Sequence, residues 1–271
     1  MGIYLNPGND LFAQALSSEI YVDKSMLIRL TNERLNSNDR HICISRPRRF
    51  GKSMAANMLV AYYSRNCDSK ELFSSLAIAD TLDFEDHLNK YNVIHLDMTR
   101  FASKAPDVKG MIDRLELTLK QELSELCADI SYPDFYSSDE ILTLIYNKYR
   151  IPFVFIIDEW DCVFRIHKND IEGQTAYLDY LKILLKDRPY VALDYATGIL
   201  PVKKYGQHSA LNMYCEYSII DAEPFAEYMG FTESEVQGLC RRFDMPFDEM
   251  KGWYNCLLYT SPSPRDKRQS R

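Results

Sequence analysis

The sequence of 271 residues lacks the features of secreted, membrane-spanning and disulfide-rich proteins. No apolar run approaches the roughly 20 residues that a membrane-spanning helix needs, and residues 1–10 have neither a basic nor an apolar signal segment. The seven cysteines form no C-x-x-C pair, so neither a zinc site nor a disulfide framework is indicated. We therefore expect a cytoplasmic protein without a membrane partner, whose cysteines are reduced and mostly buried thiols.

An excess of positive charge is also missing. The formal net charge of −7 argues against a protein that binds nucleic acid or anionic membranes over a broad surface, although it is compatible with a local basic patch. His95, His167 and His208 do not have the spacing of metal ligands, so we predict no metal site built from histidines. The hydrophobic content of 46% is enough for a large core.

A phosphate-binding loop is indicated by residues 42–53, which read ICISRPRRFGKS. An apolar run of β type leads into the loop and a helix-forming stretch follows it, which is the order that a P-loop requires. The N–H groups of such a loop and of the helix start form an anion site. We predict that the nucleotide is bound by nine consecutive residues: Arg46, Pro47, Arg48, Arg49, Phe50, Gly51, Lys52, Ser53 and Met54.

Two of these residues have predicted chemical roles. Lys52 would reach the β- and γ-phosphates and assist catalysis, and Ser53 would ligate Mg²⁺. The pattern G-x-x-x-x-G-K-[ST] requires glycine where this chain has Arg46, and Pro47 removes one N–H donor. The interpretation therefore depends on a second motif.

That second motif is the run of residues 152–159, PFVFIIDE. A continuous apolar stretch of strand length that ends in carboxylates is typical of a strand buried on both faces of a parallel sheet. Asp158 is predicted to hold Mg²⁺ together with Ser53, and Glu159 to orient or deprotonate the attacking water. The alternative is that Lys52 is a surface lysine and the two carboxylates end an ordinary strand. The presence of both motifs in the right order favours nucleotide binding, and Glu159 favours hydrolysis.

A third catalytic candidate is Thr197, which ends the following strand before Gly198. In P-loop ATPases of the additional-strand type, the polar residue at this place contacts the γ-phosphate or the attacking water. The alternative is that Thr197 only starts a turn with Gly198.

The order of secondary structure predicts an α/β fold, because strands alternate with helices. The predicted strands are residues 41–45, 91–97, 152–158, 190–197 and 217–221. The predicted helices are residues 10–18, a helix capped by Asp23 and reaching Leu35, a long one from Val108 to Ile130, 139–149, 176–186, and one that begins with the capping box of Thr232 and Glu235. The fold class is a P-loop NTPase of the additional-strand type. Its parallel five-stranded sheet has the order 5-1-4-3-2, with helices on both faces.

Three regions are expected along the chain. Residues 1–223 form the ATPase core and residues 224–255 begin a C-terminal helical lid that is truncated. Residues 256–271 are a tail without folded structure, because residues 256–266 look like the translation of a sequencing-library adapter. The alternative is a native, disordered, basic tail rich in serine and proline.

With these motifs in hand, the chain resembles the bacterial AAA-ATPase-like family of P-loop proteins over residues 1–255. The matching segments are YVDKS at 21–25, SRPRRFGKS at 45–53, IDEWD at 157–161, TGILP at 197–201 and KKYG at 203–206. In this family the RPRRFGKS form is usual, so Arg46 in place of glycine is a family trait. Members often continue into a domain similar to PD-(D/E)XK nucleases, which we expect to be missing here because Asn255 runs into the adapter-like text.

The resemblance implies ATP and Mg²⁺ as cofactors and leaves three functions open. The first, which we favour, is an ATP-hydrolysing switch whose nucleotide state moves the lid or a C-terminal effector domain. The second is a nucleotide-gated signalling module that does not hydrolyse ATP. The third is a nucleic-acid-associated ATPase whose missing nuclease-like domain cuts, and whose basic residues contact backbone phosphates: Arg46, Arg48, Arg49, Lys203 and Lys204.

Two side chains near these motifs have alternative interpretations. Arg48 or Arg49 is either an arginine finger supplied by the same chain or an ordinary solvated arginine. Trp160 is interpreted as a packing residue in preference to a platform for a base. The sequence predicts no oligomeric state.

Overall fold

The computed structural model describes residues 2–202 and 211–253, which contain a parallel five-stranded sheet. The strands are β1 (His41–Ser45), β2 (Asn92–Asp97), β3 (Phe153–Asp158), β4 (Val191–Gly198) and β5 (Cys215–Tyr217). Their order across the sheet is β2-β3-β4-β1-β5, and each neighbouring pair is parallel. Read from the other edge, this is the predicted order 5-1-4-3-2, so the predicted fold class is confirmed.

Helices cover both faces of this sheet. The α-helices of the described residues are α1 (Asp10–Leu16), α2 (Leu27–Asn32), α3 (Lys52–Tyr63), α4 (Lys70–Phe73), α5 (Phe84–His87), α6 (Met98–Ala102), α7 (Val108–Leu126), α8 (Ser138–Tyr149), α9 (Cys162–Ile166), α10 (Ile171–Leu185), α11 (Glu233–Arg242) and α12 (Phe247–Trp253). Short 3₁₀ helices lie at Ala77–Asp80 and Ala226–Tyr228.

The side chains of β3 show why its sequence is apolar without interruption. Successive residues of a strand point to opposite faces of the sheet. Phe153, Phe155 and Ile157 belong to the core that includes α7, α8 and α10, whereas Val154 and Ile156 belong to the core that includes α1, α2 and α3. Both faces of the strand are therefore buried, as the sequence predicts.

The long helix α7 buries one stripe of its surface. The buried apolar residues, at spacings of three and four, are Val108, Met111, Leu115, Leu119 and Leu123, and Ile112 and Leu126 beside them are half-buried. The helix ends at Leu126, earlier than the predicted end at Ile130, because the backbone of Cys127 leaves the helical conformation. The stripe packs against the core.

The predicted position of the fifth strand is wrong. β5 is Cys215–Tyr217, whereas the prediction placed it at residues 217–221. The amide of Ser218 donates to the carbonyl of Asp221 at 2.8 Å, so that segment forms a turn. The apolar residues that suggested a strand, Ile219 and Ile220, are 59% and 98% exposed.

Two helix starts also differ from the prediction. Asp23 does not cap α2, because its carboxylate accepts hydrogen bonds from the amides of Ser25 and Ala77 at 2.7 Å each and so joins two loops. Helix α10 begins at Ile171, five residues before the predicted start at 176, since the Asp170 carboxylate accepts from the amide of Gly173 and caps the helix there. The capping box of Thr232 and Glu235 is present, as predicted.

The outer edge of β2 is occupied by the start of the chain. Leu5 forms an antiparallel bridge with Ile94, and the amide of Asn6 donates to the carbonyl of Val93 at 2.7 Å. The carboxylate of Glu122 on α7 accepts the amide of Leu5 at 2.6 Å and holds this segment in place. The sequence analysis did not predict this contact.

None of the helices in the described residues is long and apolar enough to cross a bilayer. The six cysteines of the same part of the chain are free thiols, of which Cys67 and Cys215 are half-buried and the other four buried. Burial raises the pKa of Cys162 to about 12, so this thiol stays protonated at neutral pH. The predicted tail and the basic pair Lys203 and Lys204 lie outside the described residues.

Candidate functional site

The registers of the sheet bring several polar residues to one edge. Asp97 at the end of β2 lies beside Asp158 at the end of β3. Ser45 at the end of β1 lies beside Gly198 at the end of β4, directly after Thr197. Because the carboxyl ends of parallel strands face the same side, ligands of open α/β sheets bind at this edge. The loops that follow these strands build the candidate site.

The loop between β1 and α3 has the backbone of an anion site. Gly51, the N-cap residue of α3, has φ +77°, and Arg49 has φ +71°. No side chain caps the helix, and the first N–H groups of a helix have no partner within it. These amides and the helix dipole face the cleft described below, which favours a negatively charged ligand.

Asp158 accepts hydrogen bonds from two side chains at the edge of the sheet. The hydroxyl of Ser53 donates to its Oδ2 at 2.5 Å, and the hydroxyl of Thr197 donates to its Oδ1. Asp158 is 6% exposed and Thr197 is completely buried. Thr197 therefore does more than start a turn, because it fixes the orientation of the carboxylate at the end of β3.

Lys52 lies inside the loop and is not a surface lysine. Its side chain is 4% exposed, and its ammonium group donates to the carbonyls of Arg46 and Pro47 at 3.1 Å each. The ammonium also lies 3.7 Å from Oε1 of Glu159. The structure thus brings the lysine of the first motif into contact with the acid of the second.

Glu159 turns its carboxylate toward the same cleft. Its backbone has φ +55°, a left-handed conformation that is uncommon for residues other than glycine. Oε1 faces Lys52, and Oε2 pairs with the guanidinium group of Arg165 on α9. Both oxygens of this carboxylate are therefore paired with cations.

An open cleft of about 410 Å³ lies over these groups. It is lined by Arg48, Arg49, Gly51, Lys52, Ser53, Met54, Thr99, Glu159 and Arg165. The sequence analysis missed Thr99 and Arg165. A signal for Thr99 was available, because β2 ends in Asp97, whose carboxylate accepts the amide of Thr99 at 3.0 Å and starts α6 there. Arg48 and Arg49 are exposed. Their exposure is compatible both with an arginine finger and with an ordinary solvated arginine.

The side chain of Arg46 does not reach the cleft. It is completely buried, and its Nη1 atom donates to the carbonyl of Ser45 at 3.0 Å and to that of Tyr217 at 3.1 Å. This burial lowers the pKa of Arg46, because its charge is removed from water. The expectation that this arginine contacts backbone phosphates of a nucleic acid is wrong, since its guanidinium group instead joins β1 to β5 under the loop.

Pro47 and Phe50 do not line the cleft either. Pro47 is exposed and Phe50 is half-buried, with its carbonyl accepting the amide of Gly230 at 3.0 Å. Of the nine predicted binding residues, six line the cleft with their own atoms, namely Arg48, Arg49, Gly51, Lys52, Ser53 and Met54.

Restoring the usual glycine at position 46 is expected to destabilise the protein. Arg46→Gly removes a buried side chain and leaves the carbonyl of Tyr217 without its donor, so the free energy of unfolding should fall by about 3 kcal/mol. The matched control is Arg48→Gly in the same loop, whose exposed side chain should contribute less than about 0.5 kcal/mol. Urea denaturation measures both, and equal midpoints for the two variants would contradict the role of Arg46.

Gly198 is needed because the residues after β3 approach it closely. A Cβ atom at this position would lie 2.7 Å from the indole nitrogen of Trp160 and 2.9 Å from a carboxylate oxygen of Asp161. Trp160 is 2% exposed and packs edge-on against Phe164. It is a packing residue, as predicted.

The oxygens beside the loop have the chemistry of a magnesium site. Mg²⁺ prefers oxygen ligands and is usually held by one or two carboxylates, water and substrate phosphates. Ser53, which lines the cleft, brings its Oγ next to Oδ2 of Asp158, whose own side chain is buried behind the lining. In residues 2–202 and 211–253, no group of three or more His, Cys, Asp and Glu side chains could hold a metal alone. Ser53 and Asp158 fit two of the oxygen ligands of such an ion.

A comparison with protein-family models shows the family of this chain. A family model described as "Predicted AAA-ATPase" matches residues 12–207, which is more than half of the chain. The chain is 25% identical over 228 residues to the "Uncharacterized protein in vnfD 5′region" of Azotobacter chroococcum mcd 1. That alignment covers 81% of this chain and 42% of the relative, so the chain spans less than half of the relative's length.

A solved structure with a similar chain is that of the ORC2 protein of Aeropyrum pernix, described as ADPNP–ADP complexes. The two chains are 12% identical, and the TM-score is 0.40. The match covers 84% of this chain and 55% of the other.

Proposed function

Because the chain belongs to the predicted AAA-ATPase family of P-loop proteins, we propose that it binds ATP with Mg²⁺ in the cleft and hydrolyses it. One observation carries this proposal: beside the helix start, the Asp158 carboxylate accepts from the hydroxyls of Ser53 and Thr197, and the neighbouring carboxylate of Glu159 pairs with Lys52. A lysine, a hydroxyl group, two carboxylates and free backbone amides are the set of groups that phosphoryl transfer uses.

Binding of the triphosphate would change the partners of Lys52. Its ammonium group now donates to two carbonyls of its own loop, and phosphate oxygens would replace these neutral acceptors. The amides at the start of α3 and the exposed cations Arg48 and Arg49 add further positive potential at the cleft. A polyphosphate is the ligand whose charge suits this lining.

Ser53 and Asp158 would hold the magnesium ion. Bound Mg²⁺ supplies Lewis-acid stabilisation of the charge on the phosphate oxygens. Thr197 keeps the Asp158 carboxylate in one orientation, because its hydroxyl donates to the oxygen that does not face Ser53. Thr197 is buried and does not line the cleft, so it would act through this metal ligand and not by direct contact with the γ-phosphate.

Glu159 would act as the general base. Its carboxylate faces the cleft, and it would accept a proton from the water that attacks the γ-phosphate. When the phosphates attract Lys52, the oxygen Oε1 loses its cation and becomes available to that water. Glu159 and the phosphates therefore compete for Lys52, and this competition would link hydrolysis to nucleotide binding.

The test of the proposal uses the full chain. ATP affinity is measured by titration with a fluorescent analogue and by competition with ATP, with and without Mg²⁺, and turnover is measured as phosphate release. We expect saturable binding that ATP displaces and Mg²⁺-dependent release. A folded protein that binds no nucleotide would refute the whole proposal, whereas tight binding without release would refute only the hydrolysis.

The second candidate function is a nucleotide-gated module that does not hydrolyse ATP. One observation favours it, since both oxygens of Glu159 are engaged by Lys52 and Arg165. Tight binding without steady-state phosphate release would support this candidate. A nucleic-acid partner reached through a C-terminal nuclease-like domain stays a prediction, because the family match ends at residue 207.

We also propose that the core of residues 1–223 is coupled to a lid that starts at residue 224. Two contacts support this coupling. The carbonyl of Phe50 in the phosphate loop accepts the amide of Gly230 at 3.0 Å. Lys24 donates to both carboxylate oxygens of Glu235 on α11, at 2.6 and 2.7 Å, and to the carbonyl of Glu227 at 2.5 Å. A ligand that moves the phosphate loop would therefore also shift the lid.

Replacing Lys24 by methionine should loosen the lid. The pair of Lys24 and Glu235 is largely shielded from solvent, with side chains 16% and 22% exposed, so its loss leaves a carboxylate without its cation. We expect faster amide hydrogen exchange in α11 and an unchanged rate of exchange in β3. Hydrogen exchange followed by mass spectrometry measures both.

The matched control for this variant is Lys70→Met. Lys70 pairs with Glu85, but the two side chains are 62% and 66% exposed, and exposed pairs contribute little. Equal exchange in α11 for both variants would show that Lys24 does not hold the lid.

A further inference from the structure

Arg165 makes contacts that the family motifs do not explain. Helix α9 follows the acidic end of β3 after one turn and carries Arg165 over the cleft. The Nη2 atom of its guanidinium group pairs with Oε2 of Glu159, and its Nε atom donates to Oδ2 of Asp161 at 3.1 Å. One planar cation therefore holds two carboxylates at once.

Asp161 gives Arg165 a fixed position. This carboxylate is completely buried, and its Oδ2 atom also accepts the amides of Ile199 at 3.2 Å and Leu200 at 2.9 Å. These amides belong to the segment that follows β4, directly after Thr197 and Gly198. The position of Arg165 is thus tied to the end of the strand that also supplies Thr197.

We propose that Arg165 is a positioning residue that orients Glu159 for hydrolysis. The inference rests on the proposed function, because it concerns the base of that reaction. A general base is commonly oriented by a third group. Arg165 holds Oε2, so that Oε1 keeps a defined direction toward the attacking water once Lys52 has moved to the phosphates. The side chain of Arg165 is only 22% exposed, and its bond to a buried carboxylate keeps it in place.

Two other roles for Arg165 predict different kinetics. If Arg165 bound the phosphates of ATP, its replacement would raise Kd and KM. If Arg165 inhibited Glu159 by pairing with it, its replacement would raise kcat. A positioning residue acts on the chemical step alone, and its loss lowers kcat with little change in Kd.

The experiment compares Arg165→Met, Arg165→Lys and Glu159→Gln in the full chain, with Mg²⁺ and ATP as the probes. We expect Arg165→Met to lower kcat about 10- to 100-fold, since misplacing a catalytic group by about 1 Å costs this much. The Kd for ATP should change less than about threefold. Arg165→Lys should recover part of the rate, because it keeps the charge but loses the planar fork.

Two controls separate positioning from a general loss of structure. Arg29→Met removes an arginine that also forms an i,i+4 pair, with Glu33, but is 56% exposed and remote from the cleft lining, so its kcat should equal that of the wild type. In the Glu159→Gln background, Arg165→Met should lower kcat no further, because two residues that act as a unit show non-additive effects.

The outcomes distinguish this inference from the proposed function. A wild-type protein without turnover would overturn both. An active wild type whose Arg165→Met variant keeps or exceeds its kcat, or loses ATP affinity alone, would overturn only the role of Arg165. An additive loss in the Glu159→Gln background would also overturn it.

Discussion

Replacing Glu159 by glutamine is expected to lower kcat for ATP hydrolysis about 10²- to 10⁴-fold, the usual contribution of a general base. The amide has the same shape as the carboxylate but accepts no proton from water. The Kd for ATP should not rise, since Glu159 would act on the attacking water, and its negative charge competes with the phosphates for Lys52. Phosphate release and nucleotide titration measure the two quantities separately.

The matched control for this variant is Glu85→Gln. Glu85 is 66% exposed, pairs with the exposed Lys70 and does not line the cleft, so both constants should be unchanged. Equal rates of phosphate release for the wild type and Glu159→Gln would show that Glu159 is not the base. That result would support the second candidate function, a nucleotide-gated module that does not hydrolyse ATP.

Replacing Lys52 by alanine should weaken ATP binding about 100- to 10,000-fold. The ammonium group lies at the centre of the loop and would donate to two phosphate oxygens, each charge-assisted bond contributing about 1.5 to 3 kcal/mol. About 1.4 kcal/mol corresponds to a tenfold change in affinity. Isothermal titration with ATP and Mg²⁺ measures the loss.

Two further variants are controls for this result. Lys52→Met keeps the buried apolar stem without the charge, so its Kd should rise as much as that of Lys52→Ala while less packing is lost. Lys70→Ala removes an exposed lysine and should bind ATP normally. Wild-type affinity in a folded Lys52→Met protein would refute the assignment of the loop as the phosphate site.

The parts of the fold that the sequence predicts well are those set by local patterns. β1 has the predicted bounds, and β3 differs by one residue, because each is a continuous apolar run that ends at a polar residue. The contact between Ser53 and Asp158 joins residues 105 positions apart, yet it follows from motif order and from the rule that ligands bind at the carboxyl edge.

The parts that the sequence did not predict depend on contacts between distant segments. Arg46 is a buried link between β1 and β5, but beside two exposed arginines of the same loop nothing local distinguishes it. Arg165 is held by Asp161, which the loop after β4 holds in turn, so its position requires the sheet to be assembled. β5 was misplaced because two isoleucines in a solvent-exposed turn have the composition of a strand.

The segment of Leu5 and Asn6 covers one edge of the sheet. An open strand at the rim of a sheet can recruit a strand from another chain, which leads to polymers or aggregates. Here the backbone of the segment of Leu5 and Asn6 forms hydrogen bonds with the edge strand β2, and Glu122 holds this segment in place. Any subunit contact that continues the sheet of the described residues must use β5, which offers only three residues.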